Sequence, residues 1–302
     1  MFARKTLLSV VSFVLFSVYC QVGTAAPKNQ KKKVAAASPS SLKNIENTEY
    51  TPTLKRIDFI AGKDKNKRYY PRAKAIQKLK NNLSPREVAA IYEFLNKKMS
   101  QESLKPLEFN SLKNDLVLVL MTQQRKPSQL GYKLSEMYNN KKFCSIWRDY
   151  CIQFMGRWYK EASPDEQKLM LKDMFAATDE GKNGIAGAAL IALNSNVGMS
   201  GISPKEVREA AFKVAENKET PDYVKLTAIQ ICAMRNDKRV LPIAREIVKT
   251  GKYVPLKMSA IAAIGFLGNS NDMDDMKELS RSTDVRIRSA ATAALRKLSK
   301  PN

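Results

Sequence analysis

The sequence predicts an all-α fold, an α-solenoid in which helical hairpins stack on one another. An alanine-rich phrase recurs towards the C-terminus, with Ala228, Ala260 and Ala291 at equivalent places that are 32 and 31 residues apart. A period of this length is typical of stacked helical hairpins, none of which can bury its apolar face alone. No alternating apolar pattern bounded by hairpin turns indicates a strand.

Three segments carry the same helix-start signal. Ser84, Ser163 and Ser203 are each followed directly by proline and, three residues after the serine, by glutamate. Serine caps free backbone N–H groups, proline suits the first turn, and glutamate completes a capping box. We therefore expect each serine to be the N-cap residue of a helix.

The apolar periodicity divides the chain into helices. Gly251, Gly268 and the segment 194–203 mark turns between some of them. The predicted helices span residues 72–81, 84–99, 110–123, 128–140, 143–161, 164–177, 184–195, 204–217, 222–235, 239–250, 255–267, 271–281 and 284–299.

A basic residue holds the same place in each copy of the C-terminal phrase. Lys225, Lys257 and Arg288 each follow an apolar residue and precede the repeated alanine by three positions. An earlier copy of the phrase has Ala186 at that place.

This order of an apolar residue, a basic residue and an alanine-rich helix resembles the HEAT family of helical repeats, including its short bacterial type. The resemblance covers residues 184–299 and extends more loosely over 72–180. The segments 113–115 and 147–150 are similar to the N-terminal part of some exported bacterial HEAT-repeat proteins. The resemblance implies a scaffold or interaction role and supplies no family-wide active site. We accordingly divide the helical part into a region of degenerate repeats, 71–180, and HEAT-like repeats, 181–302.

Residues 1–26 have the composition of a secretory signal peptide. Arg4 and Lys5 precede an apolar run that extends to about residue 22, and small residues follow. These are the three parts of such a signal, and the run is short for a membrane-spanning helix, which needs about 20 residues. We expect cleavage after Ala25; an uncleaved membrane anchor is the alternative.

Residues 27–70 are predicted to be a basic, largely disordered linker. Residues 27–80 hold 15 lysines and arginines against four acids, in a chain whose formal net charge is +23. Such asymmetry favours a basic arm that meets an anionic partner. A solvated tether without a partner is the alternative.

The residue types argue against most hydrolytic and metal chemistry. The chain has no histidine, the usual base of serine and cysteine hydrolases and the commonest metal ligand. Cys144, Cys151 and Cys232 would remain after cleavage, and we expect all three to be small buried apolar residues. We predict no enzymatic activity and no cofactor.

An aromatic stripe contains both tryptophans of the chain. Phe143, Trp147, Phe154 and Trp158 recur at helical spacing and therefore share one helix face. Trp147 and Trp158 are candidates for a groove that binds a partner such as a peptide or a glycan. The alternative is the core of a helical hairpin, because such stripes usually face inward.

The basic residues of the repeated phrase are the second candidate site. Equivalent positions of stacked repeats align in space, so Lys225, Lys257 and Arg288 would form a column of positive charge with Arg286 nearby. This basic column would suit an anionic polymer. The alternative is pairing inside the repeats, with helix C-termini and neighbouring acids.

Other polar segments are expected to be structural. Ion pairs of Arg148 with Asp149 and of Lys113 with Asp115 would set helix register or solvate a surface. The acidic segment 269–275 lacks the glycine and the distal glutamate of a calcium loop, and we expect it to open a helix.

These observations predict a non-enzymatic protein, exported to the periplasm or secreted, that holds a protein partner on the concave face of a helical solenoid. The alternative function is binding of an anionic polymer or an anionic membrane surface through the basic arm and the basic column. Ionic strength separates the two, because binding to a polyanion weakens steeply with salt. The oligomeric state is left open.

Overall fold

The computed structural model describes residues 50–63, 68–181 and 183–299, which belong to a compact unit that begins at Tyr50. These residues contain fourteen α-helices and no β-strand, so the fold is all-α. The predicted signal peptide and residues 27–49 and 64–67 of the predicted linker lie outside the described residues. The helices are α1 Pro52–Ile60, α2 Tyr69–Ile76, α3 Pro85–Asn96, α4 Pro106–Met121, α5 Leu130–Asn139, α6 Ser145–Trp158, α7 Pro164–Ala177, α8 Ile185–Ser195, α9 Pro204–Glu216, α10 Asp222–Met234, α11 Leu241–Thr250, α12 Val254–Leu267, α13 Met273–Leu279 and α14 Val285–Leu298.

Every predicted helix has a counterpart among α2–α14, but α1 was not predicted. The expectation of a disordered linker is wrong for residues 52–60, which form this helix. Leu54, Ile57 and Ile60 recur every three residues and are buried, and Thr51 caps the helix by accepting a hydrogen bond from the backbone N–H of Leu54. Because the segment is rich in basic residues, its short apolar stripe did not lead us to predict a helix.

Two of the three predicted capping boxes are closed. At the start of α3, the backbone N–H of Ser84 donates to Glu87 Oε2 at 2.8 Å, and Glu87 N–H donates to Ser84 Oγ at 3.4 Å. Ser163 begins α7 in the same way. Ser203 is the N-cap of α9, but its Oγ accepts from Lys205 N–H instead. All three serines therefore begin helices, although only two close the box.

Consecutive helices pair into seven hairpins. Within them α1 packs against α2, α3 against α4, and so on to α13 against α14. Each even-numbered helix also packs against the next even-numbered helix, from α2 through to α14. We call this series of even-numbered helices the helix row.

Small residues allow helices of the row to approach closely. A Cβ atom added to Gly156 of α6 would lie 2.5 Å from Ala192 Cβ of α8. A Cβ atom added to Gly265 of α12 would lie 2.9 Å from Ala294 Cβ of α14. Real Cβ atoms do not approach that closely, so these two junctions require glycine. The alanines of the repeated phrase, at positions 228, 260 and 291, are fully buried.

The same polar contact recurs at three junctions of the helix row. Gln123, Asn196 and Arg235 each lie just past the end of an even-numbered helix, and each donates to a backbone carbonyl near the end of the preceding even-numbered helix. The bonds are Gln123 Nε2 to Lys80 O at 3.1 Å, Asn196 Nδ2 to Gly156 O at 2.8 Å and Arg235 Nη2 to Asn194 O at 3.0 Å. Gly156 and Asn194 lie in the last turn of their helices, and Lys80 lies in the turn that follows α2, so the contacts join successive hairpins near the helix ends.

Candidate functional site

The basic column lies near the start of α10, α12 and α14, three helices that pack in series. Lys225 and Lys257 are half-buried, and the ammonium group of neither forms a hydrogen bond or ion pair with a described residue. Arg288 is exposed, but its Nη1 donates to Ser282 O, between α13 and α14, at 2.7 Å. Arg288 of the basic column is therefore hydrogen-bonded within its own hairpin.

Arg286, the fourth residue of this candidate site, is exposed at the start of α14. Its guanidinium pairs with the carboxylate of Asp284, the N-cap residue of the same helix, at 2.7 Å. An adjacent acid therefore neutralises Arg286, in line with the alternative that these basic residues pair inside the repeats.

The bond made by Arg288 recurs in three earlier hairpins that the repeated phrase does not reach. In each, a basic side chain of an even-numbered helix donates to a carbonyl near the end of the preceding odd-numbered helix. The bonds are Arg72 Nε to Ile60 O at 2.6 Å, Lys113 Nζ to Lys97 O at 2.6 Å and Arg148 Nε to Tyr138 O at 2.7 Å. Carbonyls at a helix C-terminus carry partial negative charge, so a cation is stabilised there. Pairing with helix C-termini therefore describes three basic side chains, and Arg288 makes a similar bond in the loop that follows α13.

Two of these arginines also bind the following hairpin. Arg72 donates to both carboxylate oxygens of Glu102, at 3.1 and 2.9 Å, and Arg148 donates to Glu180. Each glutamate lies between the two helices of the next hairpin. Burial alone would raise the pKa of each carboxyl, but the arginine bonds outweigh it and hold both pKa values at about 2. These ion pairs therefore connect consecutive hairpins.

The expected ion pairs between close neighbours are absent from the described residues. Arg148 binds Glu180 and not Asp149, and Lys113 binds a backbone carbonyl and not Asp115. Residues one or two positions apart on a helix do not face each other, which explains the error. Burial raises the pKa of both aspartates, whose hydrogen bonds come from the amides of Gln153 and Asn114.

The aromatic stripe lies in the core. Trp147 and Trp158 each expose 1% of their surface. Side chains buried to this extent offer no surface to a partner, so the burial supports the core interpretation. Trp147 also covers the ammonium of Lys113 together with Phe109 and Phe143, whose ring centres lie 4.9, 4.6 and 4.7 Å from Nζ in that order. Burial lowers the pKa of Lys113 to about 7.

Two of the three cysteines described are buried as expected, and one is not. Cys151 and Cys232 lie in the core, whereas Cys144 is exposed because it is the N-cap residue of α6, at the end of a hairpin loop. Within the described residues, no group of three or more acids or cysteines has the arrangement of a metal site.

Exposed apolar side chains concentrate on one side of the helix row. On α10, Tyr223, Thr227, Gln230 and Met234 are spaced by four, three and four residues and share one helix face. We call this stripe, with the equivalent positions of the other even-numbered helices, the row face. Seven of the twelve exposed large apolar side chains among the described residues lie on it: Tyr70, Leu118, Ile146, Ile191, Tyr223, Met234 and Phe266.

A basic groove lies between the two helices of the first hairpin, with a volume of about 500 Å³. We call it the end groove. Its four cationic side chains are Lys55 and Arg56 of α1, Lys74 of α2 and Lys78, which lies two residues after the end of α2. Neither the predicted column nor the aromatic stripe includes them, and the dense positive charge of residues 27–80 was their only signal in the sequence.

No model of a known protein family and no curated protein matches this chain. Within the described part of the chain, none of the helices has both the length and the apolar character needed to span a membrane.

Proposed function

We propose that the chain is a HEAT-like α-solenoid that acts as a non-enzymatic scaffold and holds a protein partner on the row face. Three recurrences support the solenoid. Even-numbered helices pack in series, a side chain bonds a carbonyl at or after the end of the preceding even-numbered helix at three junctions, and a cation bonds a carbonyl at or after the end of the odd-numbered helix in four hairpins. The same bonds occur before and after residue 180, which supports treating residues 71–180 as repeats.

The row face is the observation that carries the scaffold function. Large apolar side chains that are exposed in number on one side of a fold often mark a binding surface, and tyrosine, methionine and phenylalanine are enriched where proteins meet. Tyr223, Met234 and Phe266 expose 52, 61 and 63% of their surface on successive helices of the row. A long shallow face of this kind suits a macromolecular partner better than a small substrate.

Export is the second part of the proposal. It rests on the basic, apolar and small-residue segments of residues 1–26, which favour a cleaved signal peptide and a periplasmic or secreted protein.

Site-directed photo-crosslinking tests the scaffold function. A photoreactive amino acid replaces Ile191 or Phe266 on the row face, and Lys172 or Lys249 on odd-numbered helices serves as the control position. We expect discrete protein adducts from the row-face positions alone in the envelope of the producing cell, and these should persist at about 500 mM salt because apolar contacts are not screened. Adducts formed equally from both sets of positions, or from neither, would contradict the proposal.

The alternative function, binding of an anionic polymer or membrane surface, draws support from the end groove and from the charge of residues 27–80. It requires that binding fall steeply as ionic strength rises.

A further inference from the structure

The end groove occupies the side of α2 that other helices of the row use to pack on a predecessor. Ala192 of α8 and Ala294 of α14 lie against the preceding even-numbered helix. Counted from the basic residue of each helix, the equivalent position in the first hairpin is Lys78, two residues after the end of α2. Among the described residues, no helix precedes α1, so none of the described helices covers this side of the first hairpin.

The groove combines an apolar floor with a cationic rim. Pro52 and Phe59 of α1 and Pro71 and Ala75 of α2 supply the apolar surface. A terminal hairpin that served only as a solvated cap would be expected to carry polar side chains there. A floor of two prolines and a phenyl ring instead provides contact area for an apolar group.

None of the described residues that line the groove is acidic. Arg56 Nη1 donates to Lys78 O at 3.0 Å. The side chains of Lys55, Lys74 and Lys78 are exposed, and the ammonium group of Lys74 lies 5.2 Å from the ring centre of Tyr70. The one nearby acid of α1, Asp58, pairs with Lys63 at 2.8 Å. Three exposed ammonium groups around an apolar floor complement a ligand that carries several negative charges and an apolar group.

We propose that the end groove binds an acidic peptide segment whose carboxylates meet Lys55, Lys74 and Lys78 while an apolar side chain between them contacts Phe59. This deepens the proposed scaffold function and rests on it, since the segment belongs to a protein partner. A single strand of nucleic acid would require several aromatic faces for its bases, and among the described residues that line the groove Phe59 alone is aromatic.

The test measures binding of labelled peptides to the full chain by fluorescence anisotropy. The probe is a fluorescein-labelled twelve-residue peptide that repeats glutamate, leucine, glutamate and glycine. One matched peptide has glutamine in place of glutamate, and the other has glycine in place of leucine. We expect both matched peptides to bind at least about tenfold more weakly, because each lacks one of the two contacts.

Charge reversal locates the site. K74E/K78E should weaken binding of the probe at least about tenfold, whereas K168E/K172E changes the net charge equally, at the same spacing on α7, and should change the affinity less than about twofold. Lys168 and Lys172 are exposed, as are Lys74 and Lys78. If circular dichroism shows that K74E/K78E has lost helix, K55E on α1 replaces it in the same comparison.

Equal losses in the two double variants would overturn the proposal, and so would equal affinity for the peptide that lacks leucine. Binding of a twenty-nucleotide single strand or of phosphatidylserine vesicles through Lys74 and Lys78, without binding of the peptide, would also overturn it and would assign the groove to another anion. The scaffold function is judged separately by crosslinking from the row face, so failure of the groove leaves that result standing.

Discussion

Basic side chains stabilise this protein mainly at the ends of its helices. Arg72 and Arg148 each satisfy a backbone carbonyl and a glutamate of the next hairpin. Lys113 differs, because its ammonium has one carbonyl and three aromatic rings as partners and no carboxylate. A buried cation without a carboxylate is costly, and its pKa falls accordingly.

Lys113 should make stability depend on pH. Its pKa is about 7 in the folded protein against the ordinary 10.5, so between these values the unfolded chain binds more protons. The contribution of this group to the free energy of unfolding should therefore rise as pH increases from 7 towards 9, by up to about 1.4 kcal/mol per pH unit. Above about pH 9 the buried thiols of Cys151 and Cys232, whose pKa values are raised by burial, oppose it. Urea unfolding at a series of pH values measures the slope.

The variant K113M should lose this slope, whereas K168M, which alters an exposed lysine of α7, should retain it. An unchanged slope in K113M would mean that the buried ammonium is not the group that titrates.

Helix positions were largely predictable from the sequence, but the contacts between helices were not. Apolar periodicity and the cap serines Ser84, Ser163 and Ser203 located the helices, because these signals are local. The cations Arg72 and Arg148 belong to the same structural series as Arg288, yet no clear copy of the repeated phrase surrounds them. Their carbonyl and glutamate partners lie 10 to 32 residues away in the sequence. A local sequence pattern does not identify contacts over that separation.

The close approach of α12 and α14 should make Gly265 irreplaceable. Alanine normally stabilises a helix relative to glycine by up to about 1 kcal/mol, but here its Cβ would meet Ala294 at 2.9 Å. G265A should therefore destabilise the protein by about 1–3 kcal/mol. Thermal and urea unfolding of the variant measure the change.

Gly187 of α8 provides the matched control, since an added Cβ would lie in ordinary contact, 3.8 Å from Val224 Cγ1. G187A should be neutral or mildly stabilising. Equal effects of the two substitutions would contradict close packing at the junction of α12 and α14.

At the scale of the whole molecule, neighbouring hairpins bury each other's apolar side chains. Each even-numbered helix packs on the next, so an internal hairpin has a neighbour on both sides and the last hairpin has one. In such an arrangement stability is approximately a sum over hairpins and their junctions. The series of hairpins accounts for both surfaces. The row face is a side that successive hairpins have in common, and the end groove lies on the first hairpin of the row.

Removal of the last hairpin tests this arrangement most directly. A chain that ends at residue 269 lacks α13 and α14 and loses one junction of the helix row. The account predicts that the shortened protein keeps the helical content per residue of α1–α12, measured by far-ultraviolet circular dichroism, and unfolds cooperatively at a lower temperature. A shortened chain that is unfolded throughout would contradict it, because the helices would then depend on a closed core and not on their neighbours in the row.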